Sequence, residues 1–264
     1  MEKVGEKVEA SERNQSKSIR RALSILDALT TNTRGVSPTE VSRLTGIPKA
    51  TVSRILSVLV ETQYARQDPR SALYSPGWRV LQLSSFVLNS SELRSKARHH
   101  LLRLMEQVQE TVNLGILHGS QVMYLDRADS VRTVRLYSVV GKCVPAHCTA
   151  LGKAILAFSP ESVVRNLLQA PGLRPVTAKT ITDPQVFVEQ LQAIRLNGIA
   201  LDDEEHQEGV RCVAAPVFDY SGSVVGAVSV SAPATRMEGQ QLQDVICQVR
   251  STAREISIEL GAAL

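Results

Sequence analysis

The sequence predicts an α+β chain of two parts, a small helical N-terminal domain and a larger C-terminal domain in which helices cover an antiparallel sheet. Apolar residues recur at helical spacing through residues 18–62, whereas short alternating runs typical of strands begin near residue 120. The excess positive charge is confined to the first third of the chain, since the remainder carries equal numbers of basic and acidic side chains. We therefore expect the following segments: a flexible arm over residues 1–16, a first domain over 17–77, a linker helix over 78–90 and a second domain over 91–264.

The first domain is predicted to contain three short helices. The first covers SIRRALSILDAL, residues 18–29, whose apolar residues share one face. Ser37 and Glu40 form a capping box at the start of the second helix, and Gly46 suits the left-handed residue that ends it. Pro48 begins the third helix, which runs to about Thr62. The turn between the second and third helices is therefore tight.

A hairpin is predicted to follow the three helices. The segment QYARQDPRSALYSPG contains short extended pieces around a turn at residues 68–70, with Tyr64 and Tyr74 at facing positions. Three helices with a tight turn and a basic hairpin form a winged helix-turn-helix, a fold that places its third helix in the major groove of DNA.

Charge and side-chain type in this region favour duplex DNA as a partner. Residues 13–77 carry 10 Lys and Arg against 4 Asp and Glu, although an ordinary basic surface would show the same excess. The front of the third helix has polar donors where its rear half is apolar, and basic residues flank it on the first helix and the hairpin. The candidate DNA-binding residues are Arg20, Arg21, Lys49, Thr51, Ser53, Arg54, Arg66 and Arg70.

The rest of the chain mixes helices and strands. Two helices are expected over residues 77–112, with a break near residues 89–92. Strands are expected at QVMYLDR (121–127), TVRLYSVV (133–140), GVRCVAAPVFD (209–219) and SVVGAVSVS (223–231), the last two joined as a hairpin. Further helices are expected at TALGKAILAF (149–158), PQVFVEQLQAIRLNG (184–198) and QQLQDVICQVRSTAREISIELG (240–261).

Cysteine spacing and the N-terminal sequence favour a reducing cytoplasm. The four cysteines form no paired finger spacing and no disulfide framework. The N-terminus is charged and lacks the apolar region of a secretory signal, and no stretch approaches the length of a membrane helix. We therefore expect no membrane partner. No cofactor-binding loop is present, so we also expect no cofactor.

Three other functions remain open at this point. His147, Cys148, His206 and Cys212 could hold a metal, but their spacing is not diagnostic, and no metal is predicted. Cys143 and Cys148 could form a redox sensor. Cys212, His147 and Asp202 could act as nucleophile, base and orienting group of a thiol-dependent hydrolase, although no nucleophile elbow is present and we expect no enzyme.

The sequence motifs in these segments resemble those of the IclR family of bacterial transcriptional regulators, and the resemblance covers residues 18–261. They are RALSILDAL, KATVSRILSVL, VMYLDR, VPAHCTALGKAILAF, TITD, LDDEEHQEGVRCVAAPVFD and AVSVSAPATR, in the family's order. The stretch RLYSVVGKCVPAHCTALGKAILA is similar to regulators of ketosugar-acid catabolism. Ala50 departs from the family pattern, because many members have Ser before the Thr of the recognition helix.

The resemblance implies a ligand-responsive regulator that binds a near-palindromic operator and is controlled by a small organic acid, as homodimers or dimers of dimers. It also implies that the C-terminal domain is GAF-like, with an effector pocket at Ala150, Leu151, Asp202, Cys212, Ser229 and Ser231.

The residues themselves agree with this pocket in part. Thr149 could cap the helix whose first turn contains Ala150 and Leu151, and the N–H groups of a first turn favour an anion. Gly152 would allow a ligand to approach closely. Ser229 and Ser231 lie two apart on a strand, so both hydroxyls face the same side. Against this, residues 202–206, DDEEH, are typical of a solvated acidic turn.

Overall fold

The computed structural model describes residues 16–130 and 139–263. Its contacts separate two compact units, with the boundary between Ser90 and Ser91. The predicted arm at 1–16 lies outside the described residues except for its last position. Most of the strand predicted at 133–140 also lies outside them.

The first unit has the predicted three helices and hairpin, followed by a fourth helix. Helix α1 covers residues 16–28 of the described chain. The other elements are α2 (Pro38–Thr45), α3 (Lys49–Glu61), β1 (Ala65–Gln67), β2 (Tyr74–Pro76) and α4 (Trp78–Ser90). The core between the first three helices is formed by fully buried apolar side chains at Ile25, Leu29, Val41, Val52 and Leu56.

Local capping interactions fix the turn between α2 and α3. The Ser37 hydroxyl accepts a hydrogen bond from the Glu40 backbone N–H at 3.2 Å, and Gly46 ends α2 with φ of 68°. The Glu40 carboxylate accepts from Arg43 at 2.8 Å instead of returning to Ser37, so only half of the predicted capping box forms. A left-handed residue at Gly46 costs little because glycine has no Cβ.

The hairpin register differs from the prediction. Gln67, not Tyr64, pairs with Tyr74, and the Tyr64 carbonyl accepts from the Gly77 N–H at 2.8 Å. Tyr74 also bridges to Val36, which attaches the hairpin to the segment before α2. The pairing of Tyr64 with Tyr74 was therefore wrong, because the loop between β1 and β2 is longer than the turn at 68–70.

The second unit contains a six-stranded sheet and five α-helices among its described residues. The elements are α5 (Glu92–Val108), β3 (Thr111–His118), β4 (Gln121–Ala128), β5 (Cys143–Pro145), α6 (Ala150–Leu156), α7 (Glu161–Gln169), α8 (Pro184–Asn197), β6 (Ala200–Asp203), β7 (Val210–Phe218), β8 (Val224–Pro233) and α9 (Gly239–Glu259), with a 3-10 turn at Ala234–Arg236. The strand order is β5-β4-β3-β8-β7-β6, and all neighbours are antiparallel.

Helices cover the sheet in layers. Helices α5 and α9 pack on strands β3, β4, β7 and β8, and α6 packs on strands β3, β6, β7 and β8, with α8 next to α6. A Cβ added at Gly115 in β3 would meet the Leu151 side chain of α6, so Gly115 marks the sheet face that α6 covers. This face carries the residues described below.

Three strands and one helix of this unit were not predicted from the sequence. The helix expected to reach residue 112 ends at Val108, because Gln109 adopts φ of 56° and its N–H bonds the Met105 carbonyl. Strand β3 follows and lies at the centre of the sheet between β4 and β8. Strands β5 and β6 and helix α7 were also absent from the predicted elements.

Candidate functional site

Helix α3 separates an apolar face from a polar face. Val52 and Leu56 are fully buried, whereas Lys49, Ser53 and Arg54 are exposed and Thr51 is half-buried. Lys49 and Ser53, four residues apart, share one side of the front of the helix, and Arg54 follows Ser53. This is the arrangement that major-groove reading requires.

Helix α1 adds a basic recess to the first unit. Arg20 is exposed and Arg21 is half-buried. With Lys17 they line a recess of about 440 Å³ that is closed by Thr45 and Ile47, at the end of α2. Three cations around one recess attract an anion such as a phosphate group.

The two hairpin arginines differ in their surroundings. Arg70 is exposed in the loop between the strands, where its backbone N–H donates to Asp68 at 2.9 Å. Arg66 Nε donates to the Ser75 hydroxyl at 3.0 Å, and its guanidinium lies 4.9 Å from the centre of the Trp78 ring. Arg66 therefore has partners in its own unit that compete with a contact to DNA.

In the second unit, a row of polar side chains crosses four strands on the face that α6 covers. Asp202, Cys212 and Ser231 are register neighbours on β6, β7 and β8, and Ser229 pairs with Asn113 on β3. Asn113 lies two residues before Gly115 and therefore shares its face. The Asn113 amide Nδ2 donates to the Ser231 hydroxyl at 3.3 Å. We call these five residues the polar row.

The polar row is buried except at Cys212. Asn113, Asp202, Ser229 and Ser231 are each at least 92% buried, whereas Cys212 keeps part of its surface accessible. Tyr124, also half-buried, pairs with Gly115 on the same face. The structure thus brings together four of the six predicted pocket residues and adds Asn113 and Tyr124. Asn113 was missed because the strand that carries it was not recognised.

Burial controls the protonation of the row. Desolvation raises the pKa of Asp202 to about 7, although Lys153 nearby and the backbone N–H groups of Glu205 and His206 lower it in part. These N–H groups donate to Asp202 Oδ1 at 2.8 and 3.3 Å. In the protonated form that burial favours, Asp202 can donate a hydrogen bond to a bound carboxylate.

A buried ion pair lies beside the row. Lys153 of α6 is fully buried, and its Nζ lies 2.5 Å from Glu205 Oε1. The alternative interpretation of residues 202–206 as a solvated acidic turn therefore does not hold at Asp202 and Glu205, which are 2% and 5% exposed. A lysine within the apolar string TALGKAILAF was the signal in the sequence that a buried acidic partner was needed.

The other two predicted pocket residues, Ala150 and Leu151, begin α6. The Thr149 hydroxyl accepts from the Gly152 N–H at 3.3 Å, as predicted for the cap. Ala150 and Leu151 occupy the first turn, where backbone N–H groups have no intrahelical acceptor. Gly152 has a different role from the one predicted, because an added Cβ would lie 2.0 Å from the Ala146 carbonyl oxygen. Gly152 thus allows α6 to pack against the backbone at Ala146, and its lack of a side chain does not serve a ligand.

The geometry does not favour the hydrolase or redox functions. His147 Nε2 donates to the Arg174 carbonyl at 2.8 Å and is not oriented as a base. Burial raises the pKa of Cys212 well above its ordinary value and that of Cys148 to about 12, so both remain thiols rather than nucleophilic thiolates. All four cysteines are free.

The described residues do not bring His147, Cys148, His206 and Cys212 together as a metal site. Among them, the one group with suitable ligand atoms close together is His99, His100 and Glu259, on α5 and α9. His206 is half-buried, and burial, the Lys142 charge and His147 lower its pKa. No helix in the described ranges is long and apolar enough to cross a membrane.

A recess of about 530 Å³ lies away from the polar row. It is lined by side chains of α7 and α8 and by the end of α6, among them Leu156, Val164, Arg165, Leu191 and Arg195. None of the predicted effector residues lines it. The case for an effector site at the polar row therefore depends on buried polar chemistry rather than on cavity size.

Known proteins share this organisation over nearly the whole chain. A family model described as IclR helix-turn-helix domain matches residues 18–69, and one described as bacterial transcriptional regulator IclR C-terminal matches residues 85–258. The regulator BhcR of Paracoccus denitrificans is 35% identical over 245 residues, covering 93% of this chain and 88% of BhcR. KdgR of Escherichia coli is 32% identical over 244 residues, covering 92% of each chain.

Solved structures agree with the sequence matches. The crystal structure of Thermotoga maritima IclR has a TM-score of 0.77 and 32% identity, with 93% of this chain and 99% of that chain covered. A homologue from Microbacterium hydrocarbonoxydans, crystallised with 4-hydroxybenzoate, has a TM-score of 0.81 at 22% identity over 92% and 98% of the chains, a likeness of fold alone. From its helix-turn-helix unit, its antiparallel effector unit and these matches, the chain belongs to the IclR family of bacterial transcriptional regulators.

Proposed function

We propose that this chain reads an operator with the front of α3 and changes its affinity for that operator when a small organic acid binds at the polar row. The observation that carries the first half is the exposed set of Lys49, Ser53 and Arg54 above a buried apolar face. Arg54 would contact a base edge, and Lys49 a phosphate. The recess at Arg20 and Arg21 would hold a neighbouring phosphate.

Helix α4 supports a dimer as the binding species. It has no buried residue, and it exposes large apolar side chains at Trp78, Leu81, Leu83, Phe86 and Val87. A surface of this kind is typical of a protein interface. Two copies related by a two-fold axis would read a near-palindromic operator, and two such dimers could form a tetramer. The cytoplasm is the compartment where such a dimer would meet DNA.

Duplex selection tests the DNA-binding half. Random duplexes enriched by the full-length protein should contain an inverted repeat, and affinity for the selected site should fall steeply with salt.

Two variants of α3 test the assigned contacts. Arg54→Ala should weaken binding and reduce the base preference at one position of each half-site by about 1–3 kcal/mol. Lys49→Ala should lower the log–log salt slope by roughly 0.9 per protomer. Arg165→Ala, an exposed arginine of the second unit, is the matched control. Unchanged affinity and sequence preference in Arg54→Ala would show that α3 is not the reading helix.

The buried row supports the effector half. A carboxylate could accept from the N–H groups of Ala150 and Leu151, from the hydroxyls of Ser229 and Ser231 and from protonated Asp202. A thermal-shift screen of organic acids should identify binders, because a ligand raises the stability of the state that it binds. An acid found in this screen should change the operator affinity of the wild type. Ser231→Ala should weaken the binding of that acid. Hits that bind Ser231→Ala as tightly as the wild type would place the effector elsewhere.

A further inference from the structure

Among the described residues, one side-chain atom of the polar row has no hydrogen-bond partner, and it lies next to the proposed effector contacts. Asn113 is 1% exposed, and its Nδ2 donates to Ser231. Among the described residues, no donor reaches its Oδ1, although the atom is inaccessible to solvent. An unpaired buried polar atom is costly, so a native structure that retains one calls for an explanation.

The position of Asn113 points to a ligand rather than to packing. Its register partner on β8 is Ser229, and its amide bonds Ser231, so it lies beside both predicted effector contacts. An apolar side chain at this position would fill the same face with no unpaired atom, as Ala227 does next to Gly115. The amide instead presents a hydrogen-bonding group on the face covered by α6.

The chemistry of the amide selects the partner group. The free Oδ1 requires a donor, whereas a carboxylate or a ketone offers only acceptors. If the amide were rotated by 180°, Oδ1 would accept from Ser231 and Nδ2 would require an acceptor. An alcohol hydroxyl satisfies the amide in both orientations, since it can donate and accept.

We infer that the effector is a hydroxy acid, whose hydroxyl bonds the Asn113 amide while its carboxylate binds the rest of the polar row. This inference depends on the proposed effector site. Asn113 is then the residue that distinguishes hydroxy acids from acids of the same length without the hydroxyl. Such discrimination is characteristic of sites in which a buried polar group is left unpaired by the wrong ligand.

Matched pairs of acids test the inference on the full-length protein. The probes are glycolate and acetate, lactate and propionate, malate and succinate, and gluconate and hexanoate, with affinities measured by calorimetry. For at least one pair, the wild type should prefer the hydroxy acid by roughly 5- to 150-fold, which corresponds to one unpaired buried group. In Asn113→Ala this preference should fall to within about twofold, mainly because the hydroxy acid binds more weakly.

Two further variants keep the test decisive. If Asn113→Ala does not fold, Asn113→Thr suits a strand and retains a hydroxyl for Ser231 but has none left for the ligand. Thr252→Val alters a buried polar residue of α9, outside the polar row, and should leave the preference unchanged.

The outcomes separate the two hypotheses. Equal binding of both acids in every pair, or equal weakening of both by Asn113→Ala, would overturn the hydroxy-acid inference and leave the proposed effector site intact. Binding of none of the eight acids would overturn both.

Discussion

Breaking the buried ion pair between Lys153 and Glu205 should destabilise the second unit strongly. Lys153→Met removes the ammonium group that lies 2.5 Å from the Glu205 carboxylate and leaves this side chain, which is 7% exposed, without a compensating charge. Glu205 Oε2 already has no hydrogen-bond partner among the described residues, so the carboxylate has little other support. We expect the free energy of unfolding to fall by about 3–5 kcal/mol.

A surface ion pair with a similar N–O distance provides the comparison for this loss of unfolding free energy. Lys179 lies 2.6 Å from Glu204, but its side chain is 51% exposed. Such pairs contribute about 0–1 kcal/mol, so Lys179→Met should cost little. For a unit of this size, a loss of 3–5 kcal/mol lowers the midpoint temperature by roughly 6–20 °C, and the control should shift it by only a few degrees.

Urea unfolding followed by far-ultraviolet circular dichroism, at matched protein concentration, is the assay. The double variant Lys153→Met with Glu205→Leu should recover most of the stability, because no buried charge remains unpaired. A loss below about 1 kcal/mol in Lys153→Met would refute the reasoning. A double variant that loses the sum of the two single changes would refute it as well.

Three further predictions follow from the same unit. Asp202 has a folded pKa of about 7 against an ordinary value of 3.8, so its protonated form stabilises the fold at low pH and this contribution is lost as the pH rises through 7. Between pH 5 and pH 8 the wild type should therefore lose roughly 2–3 kcal/mol relative to Asp202→Asn in urea unfolding; parallel curves for the two proteins would contradict this. Gly152→Ala should cost about 1–3 kcal/mol or more, since its Cβ would meet the Ala146 carbonyl, whereas Gly222→Ala meets open space and pays only for its φ of 75°; equal urea midpoints would be the contrary result. In a thiol titration with a disulfide reagent, exposed Cys247 should react first and buried Cys148 should stay unreactive until the protein unfolds; a rapid phase that persists in Cys247→Ser would be inconsistent with the structure.

Local sequence signals were sufficient for the helices of the first unit. Ser37, Gly46 and Pro48 fix the ends of short helices through contacts within a few residues. Their effects can therefore be predicted without knowledge of the fold. The polarity of α3 is equally local. The hairpin register was predicted wrongly because Tyr74 pairs with Gln67 across a longer loop than the turn signal at residues 68–70 indicates.

Strand β3 was missed because its first residues were assigned to the preceding helix, which was expected to reach residue 112. Val112, Leu114 and Ile116 alternate with Asn113 and Gly115 as strand residues do, but this run follows directly on a helical pattern. It becomes a strand because β4 and β8 supply hydrogen-bonding partners on both sides. The pocket residues came from the family resemblance, and only the shared side of Ser229 and Ser231 was deduced from spacing.

The ion pair shows the same limitation at the candidate site. Lys153 and Glu205 are 52 positions apart, and each occurs in a segment with an ordinary interpretation, an apolar helix and an acidic turn. A lysine within an apolar helix signals a buried acidic partner, but only the packing of α6 against the end of β6 identifies Glu205 as that partner.

Trp78 is the only tryptophan in the chain, and the Arg66 guanidinium lies 4.9 Å from its ring. Indole fluorescence therefore reports on the hairpin and α4 without a label. An operator phosphate that drew Arg66 away from the ring would change the emission, so that DNA engagement could be followed optically in real time.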